Sequence, residues 1–154
     1  MDVDYIRPCK TREIRDDFEA HVKRGSVLPG VDYGCKTGDK VWATGDGVVV
    51  GCSNDPNQVR GKNVTIRHRD GKESHYLHLS KVSVRNGQRV KAGDVIGEAG
   101  NTGTTSTGAH LHFAIKKHGV CVDPAKLLRK ERVEARKEKA AAEVPEVAPE
   151  VVPE

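Results

Sequence analysis

His110 and His112, two residues apart in HLHF, are the residues whose type and spacing most directly suggest chemistry. Side chains alternate across a strand, so both imidazoles project from one face while Leu111 and Phe113 point to the other. A lone histidine is usually structural or simply exposed, whereas two on a core strand form a chelating edge that suits zinc. His78, in YLHLS, brings a third imidazole: alternation places it on one face with Tyr76, where it can share the same cleft. Asp32, beside the glycine turn in PGVDYG, offers a hard carboxylate that can complete a mixed nitrogen and oxygen zinc site, although aspartate is also an ordinary turn residue.

These residues need a scaffold, and from Lys40 to Val122 the chain reads as short strands separated by glycine turns. VWATGDGVVVG has two apolar arms around Gly45-Asp46-Gly47, and Asp70-Gly71 is a strong hairpin signal between KNVTIRHR and KESHYLHLS. The expected fold is mainly β: a compact antiparallel sheet closed into a sandwich or barrel-like form. A short N-terminal helix carries the segment around His21. After Asp123-Pro124, the run AKLLRKERVEARKEKAAAE is rich in helix formers and predicts a C-terminal helix. The expected divisions are an N-terminal extension over 1–16, a β domain bearing these histidines and Asp32 over 17–128, a charged helical extension over 129–142 and a disordered Pro/Glu-rich tail over 143–154.

Charge is distributed unevenly. The last twelve residues, from Glu143, hold four Glu and no Lys or Arg, so the net charge of +4 becomes +8 without them. A basic body favours anionic polymers: nucleic acid, membrane headgroups or cell-wall polymers. In KLLRKERVEARKEK the basic residues are interleaved with Glu131, Glu134 and Glu138, and stacking aromatics are scarce, which argues against a specific nucleic-acid partner. No stretch approaches the roughly 18 apolar residues of a membrane span, and MDVDYIRPCKTREIRDDF lacks the apolar core of a signal peptide. The expectation is a chain made in the cytoplasm and not inserted in a membrane. Cys9, Cys35, Cys52 and Cys121 form no CxxC pair, so they read as buried free thiols; four cysteines also allow three disulfide pairings, among which the sequence does not choose.

PGVDYG, TGDKVWATGDGVVVG, YLHLS, GQRVKAGDVIGEAGNTGTTSTGAHLHFAI and VDPAKLL follow in an order and at intervals that resemble the lysostaphin/LytM-type zinc metalloendopeptidases. The resemblance covers about Asp17 to Leu128. It implies a LytM-type β fold with a groove, one bound zinc, and hydrolysis of peptide cross-links in bacterial peptidoglycan, with stem peptides and cross-bridges as partners and a monomer as the working form. In that family a His-x-x-x-Asp pair and the second histidine of His-x-His hold the metal. Carried over, Asp32 and His112 are implied as zinc ligands, with His78 and His110 as catalytic imidazoles beside them.

The likeness breaks at Leu28, where the family has its first ligand. His21 is the expected substitute. Phe18, His21, Pro29, Gly30, Asp32 and Tyr33 are similar to a segment of phage lysins of this type, which implies an endolysin released by a holin-type route or carried in a virion. Leu28 also supports an alternative, a catalytically inactive binding or regulatory module. Asn101, Thr102 and Thr105, in NTGTTSTG, are candidates to line the groove and bind peptide. His68, His75 and His118 are expected to be exposed, Asp46 and Asp70 to serve their turns, and Trp42 to belong to the core.

Overall fold

The computed structural model describes residues 4–103 and 108–128. In chain order the elements are β1 (Ile14–Asp16), α1 (Phe18–Arg24), β2 (Val31–Tyr33), β3 (Lys40–Trp42), β4 (Gly47–Ser53), β5 (Lys62–His68), β6 (Glu73–Val82), β7 (Arg89–Val90), β8 (Val95–Ala99), β9 (Leu111–Lys117) and β10 (Val120–Val122), followed by a 3-10 turn at Pro124–Lys126. All strand pairs are antiparallel. They form one sheet in the order β1-β2-β9-β6-β5-β4-β7, with β10 on β9 and a side branch in which β8 joins β6 to β3. The expected mainly β antiparallel architecture is present as one forked sheet.

The fork lies within β6. Its first half pairs with β9 as far as Leu77↔His112, and its second half pairs with β8 from Leu79↔Ala99. Between them His78 adopts a left-handed backbone, φ 64°. A non-glycine residue in that region is unusual and costs of order 1 kcal/mol or more, so the surroundings must hold it there. The strand can thereby leave one partner and take another.

Alternation on the long strands places the core. Tyr76 and Phe113 are paired across β6 and β9, both fully buried, with ring centroids 5.4 Å apart. Val41, Val64, Ile66, Leu79, Ile96, Leu111 and Ile115 belong to the same cluster, so residues from both branches of the sheet share one core. Burial of an aromatic ring or large aliphatic of this kind stabilises by roughly 1.5–3 kcal/mol. Tyr5, Cys9 and Leu128 also enter this cluster, and Tyr5 bridges Leu128, so the chain's N-terminal residues and the end of the described segment close over the same core.

The expected C-terminal helix does not begin where the composition places it. Asp123 caps only a 3-10 turn, and Leu127 and Leu128 then pack on the core. Their burial outweighs the modest helix propensity of a solvated segment. The helical extension over 129–142 and the tail over 143–154 lie outside the described residues. Among the described residues no helix is long and apolar enough to cross a membrane.

Two histidines expected at the surface are buried. His68 donates from Nδ1 to the Asp46 carbonyl and accepts from Ser74 Oγ, which in turn bonds Tyr76 Oη. His75 meets Thr65 Oγ1 through Nδ1. Both lie on interior strands, where the β5–β6 pairing carries them under neighbouring chain. His118 is exposed, at a left-handed turn position. Asp70 caps its turn by accepting the Lys72 amide and also accepts the Tyr5 hydroxyl, while Asp46 accepts the Ala92 amide. Trp42 is half-buried, its indole N–H donating to the Arg7 carbonyl.

Candidate metal centre

β9 is flanked by β2 and β6, and its register sets Asp32 directly beside His112. Asp32 Oδ1 lies 2.7 Å from His112 Nδ1 and 3.7 Å from His110 Nε2. Asp32 Oδ2 lies 3.3 Å from His21 Nε2. His78 closes the group, its ring centroid 5.0 Å from that of His110 and 6.2 Å from that of His112.

His21 comes from α1, a helix of one purpose. Asp17 caps it by accepting the Ala20 amide, and Gly25 ends it in a left-handed conformation, with the Gly25 amide donating to Val22 and the Ser26 amide to His21. His21 is the one buried residue of α1, 4% exposed. The cap and the glycine stop thus present a single imidazole to Asp32. Leu28, by contrast, is 6% exposed among Leu77, Ala114 and Cys121.

The ring protons can be read from their partners. His21 Nδ1 faces the Asp17 carbonyl at 2.9 Å, and His78 Nδ1 faces the Thr102 carbonyl at 2.7 Å. His110 Nδ1 faces the Gly108 carbonyl at 2.7 Å, and His112 Nε2 faces the Leu28 carbonyl at 2.7 Å. A carbonyl oxygen only accepts, so each of these nitrogens carries hydrogen and the opposite nitrogen of a neutral ring holds a lone pair. In neutral rings, the lone pairs of His21 and His112 meet the Asp32 carboxylate. Acceptors set against acceptors call for a proton or a cation between them.

Donor atoms of His21, Asp32 and His112 all lie within 4.8 Å of one another. Two imidazole nitrogens and one carboxylate oxygen, each ring oriented by a backbone carbonyl, fit the three-ligand set of a zinc site with a position left for water or substrate. Electrostatics agree. Burial pushes Asp32 up, but its hydrogen bonds with His112 and His21 outweigh it and hold the carboxyl well below the ordinary 3.8. Burial likewise works against charge on His21, yet Asp32 and the Asp17 carbonyl raise it above 6.5. The cluster draws positive charge, whether as protons or as a metal ion.

His78 is different: burial lowers it to about 4, so it stands neutral beside the charged group. Its place is not the one alternation implies. Tyr76 faces the core, and the left-handed backbone of His78 turns its ring to the opposite side, among His110 and His112. Thr102 has its hydroxyl occupied, donating to the Leu79 carbonyl at 2.6 Å and accepting the Lys62 amide at 3.0 Å. Asn101 is exposed, and Thr105 lies outside the described residues. Sequence reading missed the carbonyls of Asp17, Leu28, Thr102 and Gly108, which orient the four rings; a backbone group leaves no signature in residue type.

Comparison with known proteins agrees with this geometry. The profile described as peptidase family M23 matches residues 26–124. Peptidoglycan DD-endopeptidase ShyC of Vibrio cholerae serotype O1 is 43% identical over 122 residues, covering 76% of this chain and 28% of ShyC. A zinc-containing peptidase from Vibrio cholerae superposes with a TM-score of 0.67 at 35% identity, over 78% of this chain and 39% of that one. The catalytic domain of lysostaphin from Staphylococcus simulans gives 0.62 at 30% identity, over 82% and 90%. The chain therefore spans less than a third of ShyC and nearly all of the lysostaphin catalytic domain.

Proposed function

Because the chain belongs to peptidase family M23, we propose that it is a zinc-dependent endopeptidase that hydrolyses the peptide cross-links of bacterial peptidoglycan. The observation that carries this reading is the convergence of His21, Asp32 and His112 with two further imidazoles alongside. The likeness to ShyC favours the D,D-bond between stem peptides over a glycine bridge.

His21, Asp32 and His112 would hold the ion, which when bound supplies Lewis acidity to the scissile carbonyl and makes water acidic enough to attack near neutral pH. His78 and His110 are the proposed catalytic residues. Their Nε2 atoms can take a proton from the attacking water and return it to the leaving amine, and a protonated ring can steady the oxyanion. Depression of His78 to about 4 keeps it a free acceptor at neutral pH. Thr102 acts as a positioning residue, its carbonyl fixing the His78 tautomer, while Asn101 and Thr105 are proposed to meet the peptide.

We extend the reading to a phage-type lysin working as a monomer on the wall, reached by holin-type release or from a virion. Its support is the likeness of Phe18, His21, Pro29, Gly30, Asp32 and Tyr33 to such lysins; the relatives compared above are bacterial proteins. The inactive docking module that Leu28 suggests is opposed by His21, whose imidazole meets Asp32 in place of the expected ligand.

Purified D,D-cross-linked muropeptide dimer and a pentaglycine-bridged substrate, followed by chromatography and mass, test the proposal. Cleavage of the dimer, abolished by chelator and restored by zinc, is expected. Absence of cleavage with a full complement of zinc would refute it.

A further inference from the structure

Two of the four cysteines meet inside the core. Cys9 and Cys35 are both fully buried, and their thiols hydrogen-bond each other. Cys9 is held by a bridge to Val41 of β3, with its sulfur 3.7 Å from the Thr11 carbonyl. Cys35 lies two residues beyond the end of β2, its amide donating to the Tyr33 carbonyl at 2.8 Å. The other two thiols lie apart: Cys52 faces the Val84 carbonyl, and Cys121 packs against the cluster of Leu28, Leu77 and Ala114.

We propose that Cys9 and Cys35 are a disulfide-forming pair whose bond closes the chain segment bearing β1, α1 and β2. That segment contains His21 and Asp32, two of the three metal ligands. A cross-link between its ends restricts the unfolded chain and keeps the two ligands near each other. It also ties the N-terminal residues around Cys9 to the strand that carries Asp32. The proposed wall-cutting function enters only through its setting, since peptidoglycan lies outside the cytoplasm, where thiols are commonly oxidised.

The chemistry is thiol–disulfide exchange with a disulfide donor, either oxidised glutathione or an oxidised dithiol oxidoreductase. Either thiol can attack first, since exchange takes place with the segment open; in one order Cys35 does so. Its thiolate attacks one donor sulfur and expels the other as a thiol. Cys9 then gives up its proton and attacks the Cys35 sulfur of the mixed disulfide, releasing the second donor thiol. Two thiols of this chain lose two protons and two electrons, and the donor disulfide gains them. Since neither sulfur is reachable in the folded state, exchange takes place before the segment around Cys9 docks, or when it opens.

The test equilibrates the full chain in a glutathione buffer rich in the oxidised form, then denatures it and alkylates it with N-ethylmaleimide for intact mass and peptide mapping. The expected product is lighter by two hydrogens before alkylation and takes up two alkyl groups. It links the Cys9 peptide to the Cys35 peptide, and its melting temperature falls by roughly 10 °C on reduction. Cys9→Ser and Cys35→Ser each abolish the link and the shift. Uptake of four alkyl groups, or a link through Cys52 or Cys121, overturns the proposal. Both readouts are independent of wall lysis: a chain that cross-links but does not cut keeps this inference and loses the function, and a chain that cuts with four free thiols does the reverse.

Discussion

A neutral imidazole with one nitrogen against a carbonyl has only one nitrogen left for chemistry, and the four rings gathered around Asp32 are held that way. The roles then separate by what the free nitrogen meets. His21 and His112 meet Asp32 most closely, while His78 has no carboxylate against its ring among the described residues and stays neutral. His78→Ala should therefore lower kcat by roughly 10²- to 10⁴-fold while zinc content stays at the wild-type level; parallel loss of zinc would make it a ligand instead. His75 governs a different property. Burial depresses it from 6.5 to about 4, so between these values the unfolded chain takes up a proton that the folded chain refuses. Its contribution is complete above pH 6.5 and is lost as pH falls toward 4, by roughly 1.4 kcal/mol for each pH unit. Melts from pH 7.5 to 5 should show a falling midpoint, with a shallower slope in His75→Gln; equal slopes would contradict the assignment. At this scale His110 and His112 were legible because strand periodicity and residue type both carry them, and Asp32 because the order of the motifs singles it out from an ordinary turn residue. The face of His78 was not, because alternation contains no positive φ, and His75 was missed because its burial comes from strand pairing far along the chain.

Among the elements, α1 has the most to do with metal affinity and the least to do with the core. It buries one histidine, and its ends are set by Asp17 and Gly25. Asp17→Ala removes the side-chain cap, worth about 1 kcal/mol, but leaves the carbonyl that orients His21. Zinc affinity should drop roughly tenfold in a competition assay with a chromophoric chelator while the β-sheet circular dichroism is retained; unchanged affinity would mean that the helix is positioned by other contacts. The hairpin at Asp70-Gly71 was readable from turn chemistry, and the strand around HLHF from its period. Strands of three residues such as β2 carry no period of their own and exist because β9 pairs with them. The C-terminal helix was a propensity reading, and at Leu127 and Leu128 packing on the core prevails over propensity.

On the scale of the molecule, the forked sheet gives the core both branches to fill and leaves the opposite face of β9 and β6 for the imidazoles. Residues near the N-terminus belong to this arrangement: Tyr5 and Cys9 are in the core, and Tyr5 donates to Asp70. The family pattern was legible from motif order, and His21 was the expected repair of its missing ligand; the way α1 presents that imidazole to Asp32 was not legible. That repair is the central claim, and it is tested by zinc content measured on the wild type, His21→Ala and His112→Ala, with turbidity of a cell-wall suspension followed for each. The wild type should hold one zinc per chain and clear the suspension, and each variant should lose both while keeping its fold by circular dichroism. Full zinc and full lysis in His21→Ala, or a metal-free and inert wild type, would contradict it.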